Sequence, residues 1–183
     1  IMAVNEDGAI SFHVANKAAM HLGRKLYSTT PPALAELIAN SYDAYASEVY
    51  VELPEGGPIV VADNGIGMDF EGLNKRYAIV GSTKVPDQAP DTFESRKPMG
   101  KKGIGKLASF SLGDEYEVFT RTSSDALWRN FTVNYRAYID EENQATYDVA
   151  SKLVELPERF SRYSGFEHGF IVEIRGLRRS VIP

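Results

Sequence analysis

The chain has 183 residues, 43% hydrophobic and 25% charged, with a net charge of −5 and no cysteine. That length holds one full domain with a real core, and the composition is ordinary for a soluble globular protein. Disulfides and thiolate metal sites are excluded, a globally basic nucleic-acid binder is disfavoured, and no apolar run approaches the roughly 18 residues of a membrane helix.

In chain order, residues 9–14 read as a short strand or arm, and a helix is expected over about 16–26. Thr29-Thr30-Pro31-Pro32 is a helix start, with Thr30 as the expected N-cap and prolines in the first turn. That helix is expected to run to about Ala46. Residues 47–53 alternate as a half-buried strand, 54–58 form a turn, and Ile59-Val60-Val61-Ala62 is a continuous apolar strand ending at Asp63. A short helix should follow Asp69. Between Gly81 and Gly100 periodicity is lost among Ser, Thr, Lys, Pro and Asp, the mark of a functional or disordered loop. Residues 106–112 read as helical, 115–122, 127–138 and 144–154 as an antiparallel meander, and 169–175 as a last strand. The expected fold class is α+β: a two-layer α/β sandwich with helices on one face of a mixed, mostly antiparallel sheet. There is neither an internal repeat nor a low-complexity linker, so residues 1–183 form a single domain with an N-terminal arm over about 1–15. Ile1 precedes a methionine and the chain stops at Pro183 without a tail; the expectation is a domain excised from a longer protein.

At about 100° per residue, Glu36, Asn40 and Asp43 share one narrow helix face beside Leu37, Ile38 and Ala44. Burying such groups costs several kcal/mol unless they are paired or bind an ion. Two readings are open: a solvated polar stripe, or a site. In the second, Asn40 offers a neutral oxygen to Mg²⁺, and Glu36 takes a proton from a water attacking a γ-phosphate. Asp43 then either holds its neighbours in place or accepts a hydrogen bond from a water in a base pocket.

Asp63 closes an apolar strand and precedes Gly65, Gly67 and Met68. A carboxylate there can accept from the exocyclic amine of adenine, glycines let the backbone approach a ligand, and a methionine suits a flat base. The competing reading is an ordinary Asp-Asn-Gly turn. Further on, Gly100-Lys101-Lys102-Gly103-Ile104-Gly105-Lys106 leads into a helix, an arrangement that turns backbone amides and partial positive charge toward an anion. It is not a Walker A loop, since Leu107 follows Lys106. A flexible basic loop is the alternative.

The three motifs in this order resemble the Bergerat-fold (GHKL) ATPases, the superfamily of DNA gyrase B subunits, heat-shock-90 chaperones, MutL mismatch-repair proteins, MORC proteins and sensor histidine kinases. The first motif matches from Ala35 to Ala44, the second from Asp63 to Met68 and the third from Gly100 to Gly105, so the resemblance covers about residues 30–110. It implies ATP and Mg²⁺ as cofactors, Glu36 as general base, Asn40 as metal ligand, and Asp43 and Ala44 beside them. It further implies Asp63, Gly65, Gly67 and Met68 around the adenine, and phosphate contacts from Gly100, Lys101, Lys102, Gly103, Ile104, Gly105 and Lys106. An ATP lid would span about 70–102, where Ser82, Thr83 and Lys84 resemble a Ser/Thr-Lys phosphate segment. The spelling of the third motif is similar to bacterial MORC-like and chaperone-like members. One departure stands out: Phe170 follows Gly169 where the family has a threonine that supports the aspartate and its water.

The function implied is Mg-dependent ATP binding and slow hydrolysis, with lid closure driving conformational change in a larger multidomain protein. The alternatives are a non-hydrolysing ATP sensor and, less favoured by Glu36, a histidine-kinase catalytic domain. The partners implied are downstream domains of the same chain, a nucleotide-dependent homodimer, and nucleic acid through other domains; a membrane is not among them, and the setting is cytoplasmic. His13, His21 and His168 lack metal-ligand spacing, and Trp128, Phe131, Tyr135 and Tyr138 most simply pack a sheet. Lys97, Lys101, Lys102 and Lys106 are assigned to phosphate or lid work rather than to a nucleic-acid patch.

Overall fold

The computed structural model of the chain describes residues 8–14, 29–80, 96–99, 108–140 and 146–178. Strand β1 (Ala9–Val14) is where it was expected, while the helix over 16–26 falls outside the described residues. Helix α1 (Thr30–Asp43) begins one residue earlier than expected. Thr29 is its N-cap, with an extended backbone and no side-chain capping bond, and the prolines sit in the first turn where a missing N–H costs nothing. The helix ends at Asp43, short of Ala46. Tyr45 takes a left-handed φ of 61°, and Ala46 N–H turns back to Ser41 O at 3.1 Å.

Strands β2 (Val49–Glu52) and β3 (Ile59–Asp63) pair as a hairpin whose turn is closed by Gly57 N–H on Pro54 O at 3.1 Å. Asp69 then caps a short helical segment α2 (Phe70–Gly72) by accepting Gly72 N–H at 2.7 Å. A π turn (Leu73–Tyr77) carries the chain to β4 (Ile79–Val80). Helix α3 (Ala108–Leu112) leads without a break into β5 (Gly113–Arg121). There follow β6 (Trp128–Asn134), helix α4 (Tyr135–Asp140), β7 (Thr146–Val154), a 3-10 turn (Glu158–Tyr163) and β8 (Gly169–Leu177). The expected strand over 127–138 is therefore too long. Asn134 Oδ1 accepts the N–H groups of Arg136 at 3.0 Å and Ala137 at 3.3 Å, a helix-start geometry that ends the strand.

The strands form one eight-stranded sheet in the order β2-β3-β8-β5-β6-β7-β1-β4. Its pairings are antiparallel except for the parallel pair β1–β4, so the sheet is mixed and mostly antiparallel. Strand alternation assigns the faces. Ile59 and Val61 of β3, Tyr116 and Val118 of β5, and Val172 and Ile174 of β8 pack with Ala33 and Leu37 of α1 and with Phe110 and Leu112 of α3. The alternate residues Val60, Ala62, Phe119 and Ile171 pack on the other face, beneath Phe160 and Tyr163 of the 3-10 turn. Arg159 of that turn reaches Glu117 of β5 at 2.7 Å and fastens the cover to the sheet, while Arg175 of β8 reaches Glu117 at 2.5 Å across neighbouring strands. Trp128, Phe131 and Tyr135 all belong to these cores, so the packing reading holds for them. No described helix is long and apolar enough to cross a membrane.

Candidate functional site

The same alternation that sends Ile59 and Val61 toward the helices also places Asp63 there, under α1. Asp63 is 4% exposed. An ionised carboxylate so buried needs donors, and Ser41 and Gly65 are among those it has. Ser41 Oγ donates to Asp63 Oδ2 at 2.7 Å, much closer than its other acceptor, Leu37 O at 3.3 Å. Gly65 N–H donates to Oδ1 at 2.9 Å. Burial nevertheless dominates and pushes the Asp63 carboxyl up to about 6, against the lowering effects of Ser41, the Gly65 and Phe170 backbone and the nearby His168. Each carboxylate oxygen retains acceptor capacity beyond these bonds.

Across the sheet, Asp63 is in register with Phe170 of β8, and Phe170 with Thr120 of β5. The hydroxyl missing at Phe170 is thus matched by one on the next strand, put to different use. Thr120 is fully buried; its Oγ1 accepts Met68 N–H at 2.9 Å and donates to Gly169 O at 3.0 Å. It fixes the backbone at Gly169, just before Phe170, and at Met68 in the loop after β3, rather than the carboxylate. The support of Asp63 comes from Ser41, inside the first motif.

The loop after Asp63 is clamped by its own residues. Asn64 Oδ1 accepts the N–H groups of Ser47 and Glu48, both at 2.9 Å, and Ile66 N–H donates to Ala44 O at 2.9 Å. The glycines meet protein, not open space. A Cβ on Gly65 would lie 2.6 Å from Ala44 O, and one on Gly67, whose φ is +66°, would lie 2.0 Å from Arg121 O. Their first role is close packing against α1 and β5, where the sequence reading expected approach to a ligand. His168 is also drawn in, its Nδ1 2.5 Å from Gly65 O.

Between α1, α3, the π turn and the sheet lies a cavity. Its apolar wall is Leu37, Val61, Met68, Tyr77, Phe170 and Val172, and its polar side chains are Asn40, Ser41, Asp43, Asp63 and Ser109. Ala44 and Gly67 complete it. Of the expected site residues, the fold therefore gathers Asn40, Asp43, Ala44, Asp63, Gly67 and Met68 around one space. Gly65 sits behind Asp63, and Glu36, half-buried one turn before Asn40, is not part of the cavity wall. Ser82, Thr83, Lys84 and residues 100–106 lie outside the described residues. Asp43 Oδ1 accepts Met99 N–H at 2.8 Å, so it does hold a neighbour in place while also facing the cavity. Beside it, Arg96 donates to Tyr42 O and Ala46 O, both at 3.0 Å, and its guanidinium lies 4.8 Å from the Tyr42 ring centre. Residues 96–99 are thereby docked on the C-terminal end of α1.

Sequence reasoning missed Ser41, Thr120 and Ser109. Ser41 lies within a motif already singled out, one residue from Asn40, and could have been found there; Thr120 and Ser109 carry no local signal.

A helix-backed, mostly antiparallel sheet with a buried strand-end carboxylate facing an apolar cavity under α1 defines an α+β domain with one candidate ligand site. A family model described as histidine kinase-, DNA gyrase B-, and HSP90-like ATPase matches residues 27–169. The chain belongs to that family. It is 40% identical over 100 residues to a putative type II restriction enzyme, HgiDII, of Herpetosiphon aurantiacus, covering 55% of this chain and 16% of that protein. It is 30% identical over 95 residues to the DNA mismatch repair protein MutL of Ehrlichia chaffeensis, covering 51% of this chain and 14% of MutL. Against the chaperone protein HtpG of Orientia tsutsugamushi the identity is 28% over 124 residues, covering 55% of this chain and 20% of HtpG. The chain thus spans a fifth or less of the length of these relatives.

Proposed function

We propose that this domain binds Mg-ATP with the adenine in the cavity under α1 and hydrolyses it slowly, and that closure of a lid over the nucleotide drives rearrangement of a larger protein. The observation that carries the reading is Asp63. A carboxylate 4% exposed, held by Ser41 and Gly65 at the end of an apolar cavity, is a costly arrangement that an amine-bearing flat base would use. Asp63 would accept from the exocyclic amine, while Met68 and the aromatic wall would cover the ring faces.

Asn40 fits a Mg²⁺ ion. It lines the cavity and carries a neutral amide oxygen, and Mg²⁺ takes few protein ligands because it keeps waters and phosphate oxygens. Bound there, the ion would supply charge neutralisation at the phosphates. Glu36, one helical turn earlier and half-buried, would accept a proton from the attacking water. Residues 100–106 would contact the phosphates. Since the matched relatives are several times longer, the driven part and any nucleotide-dependent homodimer belong to the whole protein.

The test is Mg-ATP titration and phosphate release on the full-length protein. The expected result is saturable binding that Asp63→Asn weakens at least tenfold, and turnover that Glu36→Ala lowers by about 10²–10⁴-fold with little change in affinity. Saturable binding with no phosphate release would replace hydrolysis by nucleotide sensing. Unchanged affinity in Asp63→Asn would refute the adenine assignment.

A further inference from the structure

His168 takes no part in the proposed nucleotide contacts, yet the fold brings it to the end of the strand that carries Asp63. It stands just before β8, half-buried, with Nδ1 2.5 Å from Gly65 O. A carbonyl oxygen can only accept, so Nδ1 carries the proton of this bond. The approach depends on Gly169. A Cβ there would lie 2.1 Å from Asp63 O and would force the entry to β8, and His168 with it, away from the strand end. Gly65 is thereby held twice: its N–H donates to Asp63 Oδ1 at 2.9 Å, and its carbonyl accepts from His168. In the sheet, Asp63 stands between Val49 of β2 and Phe170 of β8. The ties of Asn64 to Ser47 and Glu48, and of Ile66 to Ala44, run toward the β2 side. His168 ties the same loop toward β8.

We infer that His168 is a positioning residue for base recognition: by holding Gly65 O it fixes the Gly65 N–H that orients the Asp63 carboxylate toward the exocyclic amine of the base. The inference rests on the nucleotide reading above. Of the donors to that carboxylate, Ser41 on Oδ2 comes from a helix, whereas Gly65 N–H on Oδ1 comes from a loop. Glycine has the most backbone freedom to lose, so a loop glycine that must present its N–H needs an anchor, and His168 supplies one. The role is geometric rather than electrostatic. Burial raises the Asp63 carboxyl, and His168 is the smallest of the influences that oppose it, after Ser41 and the Gly65 and Phe170 backbone. A hydrogen bond weakens steeply as its angle closes, so a carboxylate turned out of line would lose the amine. The contacts of Met68 and the aromatic wall with the ring faces would survive.

The test uses full-length wild type, His168→Leu and His168→Asn at about pH 8, where Asp63 is ionised. It compares the affinity of ATP with that of purine riboside triphosphate, which lacks only the exocyclic amine. Leucine removes the donor, and asparagine keeps an N–H close to the place of Nδ1. Wild type should prefer ATP by about tenfold. In His168→Leu the preference should fall to about threefold or less through weaker ATP binding alone, and His168→Asn should restore it. The preference is a ratio of two affinities for the same folded fraction, so it stays readable in a partly unfolded variant. Equal weakening of both nucleotides in His168→Leu, or an unchanged preference, overturns the inference and leaves the nucleotide reading intact. So does an asparagine variant that behaves as the leucine variant does. A wild type without preference for ATP overturns the Asp63 contact and the inference together, and a wild type that binds neither nucleotide overturns the nucleotide reading itself.

Discussion

Ser41 Oγ and Asp63 Oδ2, 22 positions apart in sequence, lie 2.7 Å apart and join α1 to the end of β3. This bond ties the helix that carries Glu36 and Asn40 to the strand that carries the buried carboxylate. Removing the hydroxyl leaves a buried, ionised group short of a donor. Ser41→Ala should therefore cost about 1.5–3 kcal/mol of stability at neutral pH, read as a lower urea midpoint with an unchanged slope. No change would mean that the Gly65 and Phe170 backbone satisfies Asp63 without Ser41.

Asp63 also sets a pH dependence. Its carboxyl is pushed up to about 6 by burial, so the folded state binds this proton more tightly than the unfolded chain does. The contribution to stability is thus greatest below the ordinary carboxylate range and is lost as pH rises through about 6. ATP affinity should run the other way. Protonation turns an acceptor into a donor, so binding should weaken as pH falls through about 6, where an unperturbed Asp would still be charged. Calorimetric titrations between pH 5 and 8 on wild type and Asp63→Asn check this; the variant should lack the step.

Thr120 offers a test with little change of shape. Thr120→Val keeps the volume but leaves Met68 N–H without its acceptor and Gly169 O without its donor. The expected loss is about 1–3 kcal/mol per orphaned group at a fully buried position. Nucleotide affinity should also drop, because Met68 and Phe170 are cavity walls flanking those groups. Hydrogen exchange at the Met68 amide would report the lost bond directly.

Gly67→Ala meets two obstacles at once. Its φ of +66° disfavours any side chain, and the new Cβ would lie 2.0 Å from Arg121 O. The substitution should destabilise the domain by more than about 1 kcal/mol, seen as a lower thermal midpoint even without nucleotide. Gly56→Ala is the control. Its φ is +66° as well, but no atom lies within 4 Å of the added carbon, so its cost should be the smaller of the two.

Much of the fold could be read from local pattern. The continuous apolar run over 59–62, the last strand over 169–175 and the glycine-broken strand end were visible because a strand covered on both faces must be apolar throughout. The strand expected over 127–138 failed because a single Asn134 side chain captured two backbone N–H groups and started a helix, a competition that periodicity does not record. The helix end at Tyr45 and the role of Gly67 were hidden for a similar reason: each depends on what another element brings against it.

The sequence by itself determined the family and the α+β class and singled out Glu36, Asn40 and Asp63 as candidates, because those residues stand at fixed spacing in local motifs. Only the tertiary structure decided how Asp63 is held. Strand register put Phe170 between Asp63 and Thr120, and helix packing brought Ser41 onto the carboxylate and Ser109 to the cavity. Spacing along a chain fixes which groups share an element. Which of them meet across elements depends on register and packing, and there the hydrogen bonds of a buried charge are chosen.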